Sequence, residues 1–323
     1  MGVSDAGACG RLTLAAIQDA HERIRDKIHR TPVMQSAVLD GMAGMQLFFK
    51  CENLQKTGSF KARGATNAVF LLAGNQASRG VVTHSSGNHA AALARAADLR
   101  AIPAHIVMPS NAPRAKQDAV RRYGGRIVLC EPTLPAREAM ARQVVDSTGA
   151  ALIHPYDDLR VMAGQGTSAL EMLEDIADLD VILCPVGGGG QLSGIAVAAK
   201  GLRAAIAVIG VEPAGADDAR RSFQSGRIMP LGKPQTIADG LRSSLGERPF
   251  AEIIRFVDDI VTVSEESIVQ AMRLIWQVMK IIVEPSGAVA FAAVLEGRIA
   301  APGKRVAVIL SGGNLDLDRL PWQ

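Results

Sequence analysis

The chain has 323 residues, 48% of them hydrophobic and 21% charged, enough for one large α/β unit or two lobes with ample core. A net charge of only +3, aromatics at 4% and scattered Lys and Arg give no sign of a nucleic-acid surface. The most apolar window, Val181 to Ala199, is broken by Pro185 and a glycine run, so no membrane span is expected.

The first element expected is a helix capped by Thr13, with Leu14, Ile17, Ile24 and Ile28 at helical spacing, ending before Arg30-Thr31-Pro32. Leu47 to Lys50 reads as a short strand leading into a Gly58-Ser59 turn and a helix-like run from Ala62 to Leu72. From Gly80 the pattern becomes βαβαβα: strands at Gly80 to Thr83, Ala104 to Met108 and Arg126 to Leu129, helices at Ser86 to Asp98, Ala115 to Tyr123 and Ala136 to Thr148. A helix (Gly166 to Ile176), a strand (Val181 to Val186), a helix (Gln191 to Lys200) and a strand (Ala207 to Val211) follow. Ala214 to Arg248 is polar and rich in Gly and Pro. Helices at Glu266 to Met279 and Ser286 to Leu295 and a strand at Arg305 to Leu310 complete the pattern. With about a dozen residues beyond that strand, no appended regulatory domain is expected.

Cys9, Cys51, Cys130 and Cys184 form no C-x-x-C and read as reduced thiols in a cytoplasmic protein. No charged-then-apolar leader opens the chain, and Ala6 stands where a myristoylation signal after Met1-Gly2 needs Ser or Thr.

Two stretches carry chemistry. Ser59-Phe60-Lys61 places a lysine between a tight turn and a helix, where it can be held to form a Schiff base with a carbonyl compound. A lone lysine is more often a solvated surface charge. The second stretch weighs against that. Gly187, Gly188, Gly189 and Gly190 join an apolar strand to a helix start, where free N–H groups and the helix dipole suit a phosphate. A G-x-G-x-x-G register fails, since the sixth position is Leu192 from Gly187 and Ser193 from Gly188. A P-loop fails too, since the Gly-Lys pairs continue as Gly232-Lys233-Pro234 and Gly303-Lys304-Arg305. A plain tight turn needs fewer than four glycines, because each costs backbone entropy. A Schiff-base lysine and a phosphate cup together are the equipment for pyridoxal phosphate.

With these motifs in order, the chain resembles the fold-type II pyridoxal-phosphate enzymes (tryptophan synthase β-like), in the branch of serine racemase, threonine dehydratase and 3-hydroxyaspartate dehydratase. The resemblance runs from about Leu12 to Leu317. It rests on Gly58-Ser59-Phe60-Lys61, Ser85-Ser86-Gly87-Asn88-His89, Ala163-Gly164-Gln165-Gly166-Thr167, the tetraglycine and Ser311-Gly312-Gly313-Asn314. It implies two α/β domains with twisted, mostly parallel sheets: a large cofactor-binding domain over 1–78 and 150–323, and a small mobile domain over 79–149 that closes on the substrate. It implies that Lys61 holds the cofactor and moves the Cα proton. Phe60, Asn88, Glu284 and Ser311 join the glycines in binding the cofactor. Asn88 meets the ring hydroxyl, and Ser311 meets the pyridine nitrogen, which a neutral hydroxyl leaves unprotonated. Ser85, Ser86, Gly87, Asn88 and His89 face the substrate carboxylate.

Three further residues subdivide the family. Ser86 matches the second acid/base, opposite Lys61, of racemases and hydroxyaspartate dehydratases. Arg137 matches a serine racemase position suited to a distal carboxylate, with a solvated helix arginine as the alternative. Glu212, the Ala216 carbonyl and Asp218 match a loop binding Mg²⁺ or Ca²⁺, with an acidic surface loop as the alternative. Tyr156, where mammalian-type serine racemases have asparagine, and Ala90-Ala91 point away from a dedicated racemase. The expected activity is therefore a dehydratase (ammonia-lyase) of 3-hydroxy amino acids, 3-hydroxyaspartate ahead of L-serine and L-threonine, in a cytoplasmic homodimer. A serine racemase with side dehydratase activity is the alternative, and a non-catalytic amino-acid-binding protein the more distant one.

Overall fold

The structure is a computed structural model. It describes residues 10–85, 87–112, 114–299 and 301–322, apart from the side chain of Ala115.

Two sheets organise the chain. The larger contains β1 (Val33–Met34), β2 (Gln46–Lys50), β7 (Val181–Pro185), β8 (Ala207–Pro213), β9 (Asp259–Val263) and β10 (Arg305–Ile309), in the order β1-β2-β10-β7-β8-β9. Only the β1–β2 pair is antiparallel. The smaller contains β3 (Val81–His84), β4 (Ala104–Pro109), β5 (Arg126–Cys130) and β6 (Ala151–Leu152), all parallel, in the order β5-β4-β3-β6. This is the α/β class with mostly parallel sheets that the residue pattern implied. Because β6 pairs with β3, the smaller sheet runs to Leu152, past the boundary expected at 149.

Successive side chains of a strand face opposite ways, and a parallel sheet covered on both sides buries both sets. In β7, Ile182 and Cys184 point into one core with Ile17, Met162, Ile195 and Ile253, while Val181 and Leu183 point into another with Leu39, Ile268, Val289 and Phe291. In β10, Ala307 and Ile309 join the first core and Val306 and Val308 the second. Each fully buried residue of this kind contributes on the order of 1.5–3 kcal/mol of transfer free energy. The smaller sheet repeats the device, Val81 and Ile106 facing Ala65, Val69 and Leu93, and Val82 and Val107 facing Ala141 and Val144.

The first helix is Leu14–Ile24, ending short of the Ile28 that the spacing implied, and the Thr13 side chain accepts a hydrogen bond from the Ala16 N–H at 3.2 Å, as its sequence implies. The helix expected from Gly166 begins earlier, as Leu159–Asp175, because Asp158 caps it by accepting from the Arg160 N–H. This places the Ala163 to Thr167 motif mid-helix, where its glycines allow helices to touch. A Cβ on Gly164 would lie 2.6 Å from Gly64 Cα, and one on Gly166 would lie 2.7 Å from the Gly194 carbonyl oxygen. The polar stretch after Ala214 holds an unexpected helix, Asp218–Ser225, and beyond it come Glu247–Phe256 and β9. The expected Glu266 to Met279 helix is α-helical over Glu265–Leu274 and widens to a π-helix over Ile275–Met279. No helix among the described residues is long and apolar enough to cross a membrane. Cys51, Cys130 and Cys184 are free thiols; Cys9 lies outside the described residues.

The Lys61–Leu71 helix joins the two halves. It packs on Leu159–Asp175 of the larger unit and on Asn88–Leu99 of the smaller, with Ala62 to Val69 all buried. Lys61, at its first residue, therefore sits at the seam.

Candidate active site

A cavity of about 520 Å³ opens at that seam. It collects nearly every residue singled out from the sequence: Phe60 and Lys61; Ser85, Gly87, Asn88 and His89; Arg137; Gly187 to Gly190; Glu284; and Ser311. Ser86 lies outside the described residues. Glu212, Ala216 and Asp218 do not line the cavity.

Lys61 Nζ donates to the Pro155 carbonyl at 2.9 Å and lies 4.9 Å from the centre of the Phe60 ring. Burial pushes its pKa down to about 8, so a minor fraction is free amine at neutrality and free amine predominates above about pH 8. The helix start beneath it is held by a buried ionic cluster that sequence reasoning missed. Arg63 donates to Glu52 at 2.7 and 2.8 Å and to Glu171 at 2.7 Å from two nitrogens, while Lys50 also pairs with Glu171 at 2.7 Å. Two cations balance two carboxylates, all essentially without solvent contact.

The glycine run forms the opposite wall. Among the described residues, none of the N–H groups from Gly187 to Gln191 donates to a protein acceptor, and they precede or open the Gly190–Leu202 helix. Such a row of unpaired donors, where the helix dipole is positive, fits a phosphate. The glycines are required by packing as well, which weakens the entropy argument from sequence. A Cβ on Gly188 would lie 2.3 Å from the Tyr156 ring, one on Gly187 3.0 Å from Leu241 Cα, and Gly189 has φ +86°.

Asn88 opens the Asn88–Leu99 helix and donates to Glu284 Oε1 at 2.7 Å, while its own Oδ1 accepts from Asn314 at 3.0 Å. One amide hydrogen of Asn88 remains for a ligand. Burial, with Asp239 adding repulsion, raises the Glu284 carboxyl to about 8. Ser311, 3% exposed, donates to the Ser286 carbonyl at 3.3 Å, a long bond from a rotor that can turn to the cavity. His89 is buried with neither ring nitrogen bonded, and desolvation and then Lys61 keep it neutral. His154 stacks edge-on to His84 (5.3 Å) and Tyr156 (4.6 Å), and burial lowers it to about 4. Its Nδ1 accepts from the Asp157 N–H at 2.9 Å, so its remaining proton sits on Nε2.

Arg137 lines the cavity from the Leu134–Thr148 helix, and among the described residues it has no carboxylate partner. At the mouth, Lys116 pairs with Asp239. Glu212 and Asp218 lie together instead in a buried pocket of the chain. Glu212 accepts from the Arg220 N–H at 2.7 Å and Asp218 from the Leu245 N–H at 2.9 Å. Burial raises them to about 9 and about 6, and among the described residues neither is ion-paired, Arg221 pairing with Asp217 instead. No group of three or more His, Cys, Asp or Glu side chains among the described residues is arranged to hold a metal. Two carboxylates with the Ala216 carbonyl are nevertheless an all-oxygen set, compatible with a hard cation.

An amine poised for imine formation, facing a row of free N–H groups across one cavity, fits pyridoxal phosphate. Comparison with known proteins agrees. Residues 24–312 match the family model for pyridoxal-phosphate dependent enzymes, and the chain belongs to that family, with the fold-type II architecture. It is 50% identical to the serine racemase of Arabidopsis thaliana (95% of this chain, 94% of that one) and 51% identical to the beta-hydroxyaspartate dehydratase of Paracoccus denitrificans (94% and 96%). The solved structure of maize serine racemase superimposes with a TM-score of 0.94 at 46% identity, covering 96% of this chain and 95% of that one. The chain is thus a member of the serine racemase and dehydratase group of these enzymes.

Proposed function

We propose that the protein is a dehydratase of 3-hydroxyaspartate, removing the Cα proton and the β-hydroxyl to give a 2-oxo acid and ammonia. The observation that carries this reading is Arg137, a guanidinium in the cavity wall with no counter-ion among the described residues. An unpaired arginine beside a reacting centre suits a second carboxylate, bound bidentately.

Bound pyridoxal phosphate supplies the electron sink that acidifies the Cα hydrogen. The chain supplies the rest. The N–H groups of Gly187 to Gln191 hold the phosphate, and Asn88 holds the ring hydroxyl. The first turn of the Asn88–Leu99 helix takes the α-carboxylate, Arg137 the distal one, and Lys61, partly neutral near pH 8, accepts the Cα proton. Tyr156 and Leu241 close the glycine side against water. We place Mg²⁺ or Ca²⁺ at Glu212 and Asp218, and read the enzyme as a cytoplasmic homodimer.

Half-identity to the Arabidopsis racemase favours racemisation as a second reading, with Ser86 as the acid/base opposite Lys61. Purified enzyme should be offered the 3-hydroxyaspartate isomers, L-threonine, L-serine and D-serine, with 2-oxo acid and product chirality read together. We expect 3-hydroxyaspartate to show the highest kcat/KM. Arg137→Ala should lower that value by roughly 10²-fold, in line with ~1.5–3 kcal/mol for a charge-assisted bond, and leave L-serine turnover little changed. Preference for L-serine with an indifferent Arg137 would sink the assignment. Interconversion of L- and D-serine outpacing keto-acid release would favour the racemase.

A further inference from the structure

The acidic pair and the glycine run belong to separate motifs, and one short segment joins them. Asp218, 1% exposed, accepts the Leu245 N–H at 2.9 Å. The next residue, Gly246, donates its N–H to the Gly188 carbonyl at 3.2 Å. Leu245 itself closes on the loop, for a Cβ built on Gly189 would lie 2.7 Å from Leu245 Cδ1. The far end of the segment is pinned as well, since Asp157 accepts the Arg248 N–H at 3.0 Å and follows Tyr156, whose ring covers Gly188.

The Gly188 carbonyl and the Gly189 N–H belong to one planar trans peptide, so they point in opposite directions. Anchoring the carbonyl on Gly246 therefore aims the Gly189 N–H. That N–H is one of the unpaired donors lining the cavity. Glycine on both sides leaves the peptide free to rotate unless something outside the loop stops it.

We propose that Asp218 is a positioning residue for the phosphate cup, acting through Leu245 and Gly246 on the Gly188–Gly189 peptide. This rests on reading the cup as the phosphate site. A cation drawn to Glu212 and Asp218 would then be felt as a change in phosphate affinity, with no ligand of its own in the cavity.

The test uses the full chain stripped of cofactor, in buffer containing chelator so that no cation contributes. Affinities for pyridoxal 5′-phosphate and for pyridoxal, which lacks the phosphate, are measured by absorbance titration. Asp218→Ala should weaken pyridoxal 5′-phosphate binding by about tenfold, the scale of one hydrogen bond, while pyridoxal affinity holds. Asp218→Asn, which keeps a side-chain oxygen to accept the Leu245 N–H, should retain most of the affinity that Asp218→Ala loses. Asp217→Ala, which removes only the exposed pair with Arg221, should change neither. Equal losses for both ligands, or a loss in Asp218→Asn as large as in Asp218→Ala, would overturn the proposal. A wild-type protein that binds pyridoxal as tightly as its phosphate would instead overturn the cup itself.

Discussion

Lys61 Nζ and the carbonyl oxygen of Pro155 lie 2.9 Å apart, and this bond joins the helix at the seam to the loop that carries Tyr156. The residue after the acceptor, Tyr156, packs its ring on Gly188 of the glycine run. The lysine amine and the glycine run thus both meet one short loop, through Pro155 and Tyr156.

The first expectation concerns the amine. With its pKa lowered from 10.5 to about 8, free amine predominates above about pH 8. Covalent capture of pyridoxal phosphate by the apoprotein should therefore quicken from pH 7 to 9 and then level. Linkage runs the same way: the folded state binds fewer protons than the unfolded between 8 and 10.5, so apoprotein stability gains with pH across that window. A capture rate still rising steeply through pH 10 would contradict the buried amine. Lys61→Ala should abolish turnover and leave the cofactor unlinked, which borohydride reduction and peptide mapping check.

A second expectation tests the roof over the glycines. Gly188→Ala would set a methyl 2.3 Å from the Tyr156 ring and should weaken cofactor binding at least tenfold, a loss of about 1.4 kcal/mol. Adding Tyr156→Ala should restore part of it. Failure of the second change to rescue the first would show that Tyr156 is not what Gly188 accommodates.

The buried cluster gives a third. Arg63→Met strands Glu52 and Glu171 without their shared guanidinium, which should cost about 3–5 kcal/mol of stability in denaturant unfolding. A loss below about 1 kcal/mol would mean that water or Lys50 already neutralises them.

The last concerns the acidic pair. Chelator should lower the melting temperature and Mg²⁺ or Ca²⁺ should restore it, since a ligand of the folded state shifts unfolding. Asp218→Ala should remove the response. Melting that ignores chelator would leave Glu212 and Asp218 as two buried carboxyl groups with no metal role.

Much of this was legible in the residue order. Lys61, Asn88 and the tetraglycine each sit where a strand or turn meets a helix, Ser311 follows a strand, and that punctuation is local: a glycine turn, a cap, a change of period. The same local signals gave the βαβ pattern of the smaller sheet. They were silent on Asp218–Ser225, which packs on β9, and on β9, which is fixed by its pairing with β8. Sequence determined which chemical groups the protein owns and that a lysine and a phosphate loop are among them. Only the tertiary structure decided that Arg137 has no carboxylate partner among the described residues, that Arg63 shares two carboxylates, and that Leu245–Gly246 ties Asp218 to Gly188. Those relations join residues far apart in the chain, and long-range pairing is settled by burial and hydrogen bonding in the folded core, which no local pattern encodes.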